Sequence, residues 1–152
     1  MRPDVAAVTH ALESACPDCA VSEEAWGVLC IVSAEKADAA LAALASSGYE
    51  MLVDLFASDT GEGLEITYHL RSHGGDTELY ARVAVGYDGE VPSVWETHPA
   101  ALYAEREAAE LFGLSFPGHP NPKRLLTSDD VPGYLMRKAV PVRTHEEVVR
   151  RG

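Results

Sequence analysis

The spacing of hydrophobic positions changes twice along this chain. Val5, Val8 and Leu12 recur at helical spacing behind Asp4, which predicts a short capped helix ended by the stretch CPDC. WGVLCIVSA is a continuous apolar run, the pattern of a strand buried on both faces. SAEKADAALAALASSGY then predicts an Ala/Leu-rich helix, with Ser33 at its cap, Lys36 where a capping box carries Glu, and Gly48 as the stop. From Tyr49 the period falls to two. YEMLVDLFASD partly alternates, LEITYHLRS and TELYARVAVG alternate, and the turns DTGEG and HGGD separate them, an antiparallel meander whose strands each keep a wet face. After YDGEVPSVWETHP a third helix is expected, with Thr97 as its cap and Pro99 early. Ala104, Ala108, Leu111 and Phe112 form its stripe, and Gly113 ends it.

Beyond Gly113, Pro117, Pro120, Pro122, Pro132 and Pro141, with Gly118 and Gly133, forbid long regular structure. Leu114, Phe116, Leu125, Leu126, Leu135 and Met136 are nevertheless too apolar for a solvated tail, so this segment must lie on its own domain or on a partner. The expected architecture is α+β: helices on a mostly antiparallel or mixed sheet over residues 1–113, then an extended Pro-rich docking arm over 114–152.

Charge sharpens that division. Residues 1–100 hold 4 Lys/Arg against 17 Asp/Glu, whereas residues 101–152 hold 8 against 7, within an overall net charge of -12. So acidic a chain is a poor ligand for nucleic acid or anionic lipid, while a back segment of mixed charge suits protein–protein contact. No run approaches the roughly 20 apolar residues that cross a bilayer, and the N-terminus lacks a secretory apolar core. The expected location is cytoplasmic, peripheral to the membrane at most.

Three groups could carry chemistry. Cys16, Cys19 and Cys30, with His10, could form a thiol redox or zinc module, but no second cysteine pair completes a zinc site, and incidental or structural cysteines are the preferred reading. His119 with Asp129 or Asp130 could serve a small stand-alone enzyme, yet no Ser or Cys nucleophile adjoins His119, and these residues are expected to orient a proline-rich turn. His69 and His73 flank a hairpin turn and are expected to face solvent. Arg106 and Glu110 stand at i, i+4 and can pair, while Glu105 and Glu107 point elsewhere. No phosphate-binding glycine motif is present.

The ordered set EREAAELFGLSFPGHP, KRLL, DD and MRK, preceded by LVDLFASD, EITYHLRS and VPSV, resembles the thirty-kilodalton-type subunit of the NADH–quinone oxidoreductases of respiratory complex I and its relatives, across roughly Trp26 to Pro141. Glu110 stands where that family usually has Asp, and the Pro before Met136-Arg137-Lys138 is absent. Short versions also occur in membrane-bound [NiFe] hydrogenases. The resemblance implies a non-catalytic assembly subunit that binds no cofactor itself. Iron–sulfur clusters, flavin or nickel–iron would belong to the rest of the complex. Its partners would be the large quinone-site or nickel–iron-type subunit and a cluster-bearing small subunit, and an isolated copy could self-associate through its arm. Glu105, Arg106, Glu107, Phe112, Gly113, Phe116, Gly118, His119 and Pro120 are the implied contact set, with Lys123, Arg124, Asp129, Asp130, Arg137 and Lys138 as charged anchors.

Overall fold

The computed structural model describes residues 2–74 and 76–140, so Pro141 and the end of the expected arm lie outside it. The first helix, α1 (Val5–Leu12), begins where Asp4 accepts a hydrogen bond from the Ala6 amide at 3.0 Å. A hairpin of β1 (Ala20–Glu24) and β2 (Gly27–Val32) follows. β1 is an additional strand that the hydrophobic pattern does not announce: AVSEE is a short, largely exposed edge strand. β2 buries Val28, Leu29, Cys30 and Val32 but leaves Ile31 exposed, so it is not sealed on both faces as expected.

A 3-10 turn (Ala34–Lys36) leads into α2 (Ala37–Ser46), which ends before Gly48 at φ 101°. Ser33 makes no side-chain cap; its hydroxyl is buried without a partner, because the 3-10 turn is closed by the Lys36 amide on the Ser33 carbonyl instead. The meander of β3 (Met51–Asp59), β4 (Leu64–Arg71) and β5 (Glu78–Val85) forms as the alternation predicts. β5 also pairs in parallel with β2, giving a mixed five-stranded sheet of order β1-β2-β5-β4-β3.

Register aligns Cys30, Ala81, Tyr68 and Leu55 in one row and Val32, Val83, Ile66 and Ala57 in the next. These rows join Val8 and Leu12 of α1 and Leu41 and Leu44 of α2 in one apolar cluster. Fully burying each large side chain is worth about 1.5–3 kcal/mol, which makes this cluster the main source of cohesion. On the opposite face Phe56 and Ile31 are exposed beside the Arg82–Glu65 ion pair. There His69 stacks on Tyr80 at 4.5 Å and meets Glu78 at 3.0 Å, so it is packed rather than free in solvent; His73 is exposed.

The third helix, α3 (Ala101–Phe112), packs along β3 and ends at Gly113, which has φ 75°. Thr97 is not its cap. The chain first makes turns in which the His98 amide bonds the Val94 carbonyl and the Ala101 amide bonds the His98 carbonyl, so the helix starts after Ala100. Ala101, Glu105, Ala108 and Phe112 are buried along one stripe, and Glu110 is buried beside it. A carboxylate thus stands inside the stripe, displacing the expected line, of which Ala104 and Leu111 are only half-buried.

Candidate docking site

Glu105 is fully buried. Its carboxylate accepts from the Val94 amide at 2.8 Å and from the Ser93 hydroxyl, tying α3 to the incoming loop. Burial nonetheless outweighs those bonds and the nearby His119 and raises its pKa. His119 lies beside it, with Nε2 at 3.9 Å from the carboxylate. The Asn121 amide donates to Nδ1 at 3.0 Å, so Nδ1 is the acceptor; Nε2 then carries the proton and donates to the Leu102 carbonyl at 2.9 Å. Both ring nitrogens are used in fixing the turn after Phe116. Asp130 accepts from the Ser128 hydroxyl, which lowers its pKa, and Asp129 is exposed.

Arg106 and Glu110 do not pair with each other; each reaches the arm's backbone. Arg106 donates from Nε to the Lys123 carbonyl and from its terminal nitrogen to the Arg124 carbonyl, both at 2.7 Å. Glu110 accepts the successive amides of Leu125 (2.7 Å), Leu126 (2.9 Å) and Thr127 (2.7 Å), together with the Thr127 hydroxyl. That nest, led by the hydroxyl, holds the Glu110 pKa down to about 2. Arg124 gathers the next turn through the Ser128 and Val131 carbonyls at 2.8 and 2.7 Å. The Tyr134 and Met136 amides then bond the free carbonyls of Glu110 and Leu111 at the helix end.

Arg137 closes the strap. It donates to the Phe112 carbonyl at 2.6 Å and the Tyr87 carbonyl at 2.8 Å, and lies over the rings of Tyr134 and Tyr87 at 4.6 and 5.2 Å. A Cβ at Gly113 would stand 2.7 Å from Arg137 and 2.8 Å from Tyr134, so this glycine is required by space as well as by φ. Asp59 accepts the Lys138 amide and the Tyr87 hydroxyl, both at 2.8 Å; the amide is the main cause of its lowered pKa, and the hydroxyl bond raises that of Tyr87.

Within the implied contact set, Glu105, Phe112 and Phe116 are buried and shape the surface from beneath, while Gly118 turns at φ 87° and accepts from the Trp95 indole at 3.0 Å. Glu107, Pro120, Lys123, Asp129 and Lys138 are exposed. So are Tyr103, Leu126, Tyr134, Leu135 and Met136, large apolar groups on α3 and the arm. Between α3 and residues 114–122 lies an open cleft of about 460 Å³ lined by Arg106, Ala109, Leu114, Pro117 and Pro122 among others. Sequence reasoning missed Asp59, Tyr87, Ser93 and Thr127, whose partners lie 12 to 79 positions away and leave no local signal. Among the described residues no group of three or more His, Cys, Asp or Glu is placed to hold a metal ion, and no helix is long and apolar enough to cross a membrane.

Fold and site together define an α+β domain clad by its own C-terminal segment, with charged side chains that grip backbone rather than a ligand. Comparison with known proteins agrees on one family. A family profile described as respiratory-chain NADH dehydrogenase, 30 Kd subunit, matches residues 30–146. The matching NADH-quinone oxidoreductase subunit of Dinoroseobacter shibae is 34% identical over 87% of this chain, and that of Moorella thermoacetica 44% identical over 64%. The chain spans 65% and 68% of those two relatives and about half of several others, such as the 53% of the Ruegeria pomeroyi protein. A trypsin-resistant fragment of Nqo5 shares the fold, at 24% identity and a TM-score of 0.65 over 76% of this chain and 98% of that one. A chain from the membrane-bound sulfane sulfur reductase, an archaeal respiratory membrane complex, superimposes on 95% of this chain and 88% of its own length, at 25% identity and a TM-score of 0.78. This chain belongs to the family of the 30 kDa subunit of respiratory-chain NADH dehydrogenase.

Proposed function

We propose that the chain is a non-catalytic assembly subunit of the hydrophilic arm of a complex I-like electron-transfer complex. It docks against the large subunit that forms the quinone site, or the nickel–iron site in hydrogenase relatives, with a cluster-bearing small subunit nearby. The observation that carries this reading is the division of labour in the strap. Arg106, Glu110, Arg124 and Arg137 spend their polar capacity on the chain's own backbone, while Leu126, Tyr134, Leu135 and Met136 are held outward. Pre-ordered apolar and aromatic side chains with a charged rim of Glu107, Lys123, Asp129 and Lys138 are what a protein partner can desolvate at low entropic cost. In this reading the chain holds no iron–sulfur cluster, flavin or nickel–iron, and it is peripheral at the cytoplasmic face of the membrane through its complex.

The likeness to a chain of the sulfane sulfur reductase supports keeping relatives other than a quinone reductase in view, including hydrogenase and formate- or ferredoxin-linked complexes. The test is affinity purification of the tagged chain from its own gently solubilised membranes, with identification of what accompanies it. Recovery of a cluster-bearing small subunit and its large partner supports the reading, and the type of large subunit names the complex. A chain recovered alone from the soluble fraction overturns it.

A further inference from the structure

At the opposite edge of the sheet the chain leaves α1 and makes a tight turn, Cys16–Pro17–Asp18–Cys19, closed by the Cys19 amide on the Cys16 carbonyl at 3.0 Å. A four-residue turn brings its first and last Cα within about 7 Å, and disulfides span Cα separations of about 4.4–6.8 Å. After burial, Cys16 is one of the neighbours that raise the Cys19 thiol pKa. Pro17 fixes φ where such a turn favours proline. Cys30 lies close by on β2, but Val21 is its direct cross-strand partner, which leaves Cys19 on the diagonal. Diagonal neighbours are about 7–8 Å apart, beyond what a disulfide bridges without moving backbone.

From this geometry we infer that Cys16 and Cys19 form a reversible thiol–disulfide pair, with Cys30 left as a free thiol. The oxidant is a low-molecular-weight disulfide, RSSR. Cys19 is half-exposed and Cys16 buried, so Cys19 loses its proton and attacks RSSR, forming a mixed disulfide and releasing RS⁻. The Cys16 thiolate then attacks the Cys19 sulfur and displaces the second RS⁻. The two cysteine protons end on two RSH; the cysteine pair gives up two electrons and RSSR gains them. Closing so small a loop constrains the unfolded chain little, and Cys19 is half-exposed, so this pair is labile rather than a permanent staple. Burial and the neighbouring thiols push the Cys19 thiol far up, and burial pushes Cys30 up to about 12. Since the thiolate is the nucleophile, these raised values slow exchange near neutral pH, and it accelerates about tenfold for each unit by which the pH rises toward the attacking thiol's pKa.

The full chain, purified reduced, is equilibrated in buffers of reduced and oxidised glutathione, quenched with acid, unfolded, alkylated and cut after Glu residues. Cleavage at Glu13, Glu23 and Glu24 separates the fragment carrying Cys16 and Cys19 from the one carrying Cys30. The expected result is a Cys16–Cys19 fragment lighter by two hydrogens and unalkylated, with Cys30 alkylated, and formation faster at higher pH. Cys30→Ser retains the bond and Cys19→Ser abolishes it. A cross-link into the Cys30 fragment, a glutathione adduct on Cys19 that never closes, or three alkylated thiols in the most oxidising buffer would each overturn the inference.

Discussion

The two edges of the sheet are held by different physics. At the β1 edge α1 packs on β1 and on α2, and Val8, Leu12, Leu41 and Leu44 disappear into one apolar cluster. At the β3 edge α3 buries Ala101, Ala108 and Phe112 against the sheet, but its outer face carries Arg106 and Glu110, which hold the arm by backbone carbonyls and amides. The first arrangement needs only hydrophobic residues of suitable volume. The second needs particular donors and acceptors at particular distances, and it leaves the arm's own apolar side chains outside. A strap held in this way is ordered without being covered.

The contrast predicts a graded response to substitution. Leu44→Ala should lose about 2–5 kcal/mol and lower the melting temperature of the whole domain. Gly113→Ala forces a left-handed alanine, about 1–2 kcal/mol before any clash, and drives a Cβ into Arg137 and Tyr134; arm and core should both loosen, seen as faster trypsin cleavage after Arg137 and a lower melting temperature. Arg106→Ala removes two bonds from a charged donor and should cost about 1.5 kcal/mol, confined to the arm. The isolated fold should keep its melting temperature, trypsin should cut sooner after Lys123 and Arg124, and assembled complex should fall; wild-type levels of complex would count against the docking account.

The smallest effect is a pH dependence. A carboxylate whose folded pKa is lowered stabilises above its unfolded pKa, about 4.3 for Glu, and loses that contribution as pH falls through the folded value, about 2 for Glu110. The amide resonances of Leu125, Leu126 and Thr127 should therefore hold steady as the pH passes about 4.3, the ordinary Glu value, and shift together only as it approaches about 2. Glu110→Gln should lose that titration while leaving the core signals in place. A wild-type arm whose resonances shift at about pH 4.3, the ordinary Glu value, would refute the nest.

The same contrast explains what could be read in the sequence. Leu64, Ile66, Tyr68 and Leu70 alternate visibly, and β4 is the strand they announce. β1 escapes notice because an exposed edge strand needs no apolar face. Glu105 reads as part of a charged face because nothing local reveals that Ser93 and the Val94 amide wait to receive it inside the core. Arg106 and Glu110 look like a helix pair, since i, i+4 spacing is a local property; their actual partners lie 15 to 18 positions onward. Asp59 and Lys138, 79 positions apart, lie beyond reach of any spacing rule. The motif EREAAELFGLSFPGHP signals the family, but not that its buried members support the surface from within.

On the proposed function the arm's outward apolar side chains, rather than the open face of the sheet, meet the partner. Tagged chains carrying Leu126→Ser, Leu135→Ser and Met136→Ser together should be compared with Phe56→Ser, each expressed in the native cells and recovered from gently solubilised membranes. The account predicts at least a tenfold loss of the co-purifying large subunit, by about 1.4 kcal/mol or more of binding, for the arm variant and wild-type recovery for Phe56→Ser. Full recovery with the arm variant, together with loss on Phe56→Ser, would contradict it.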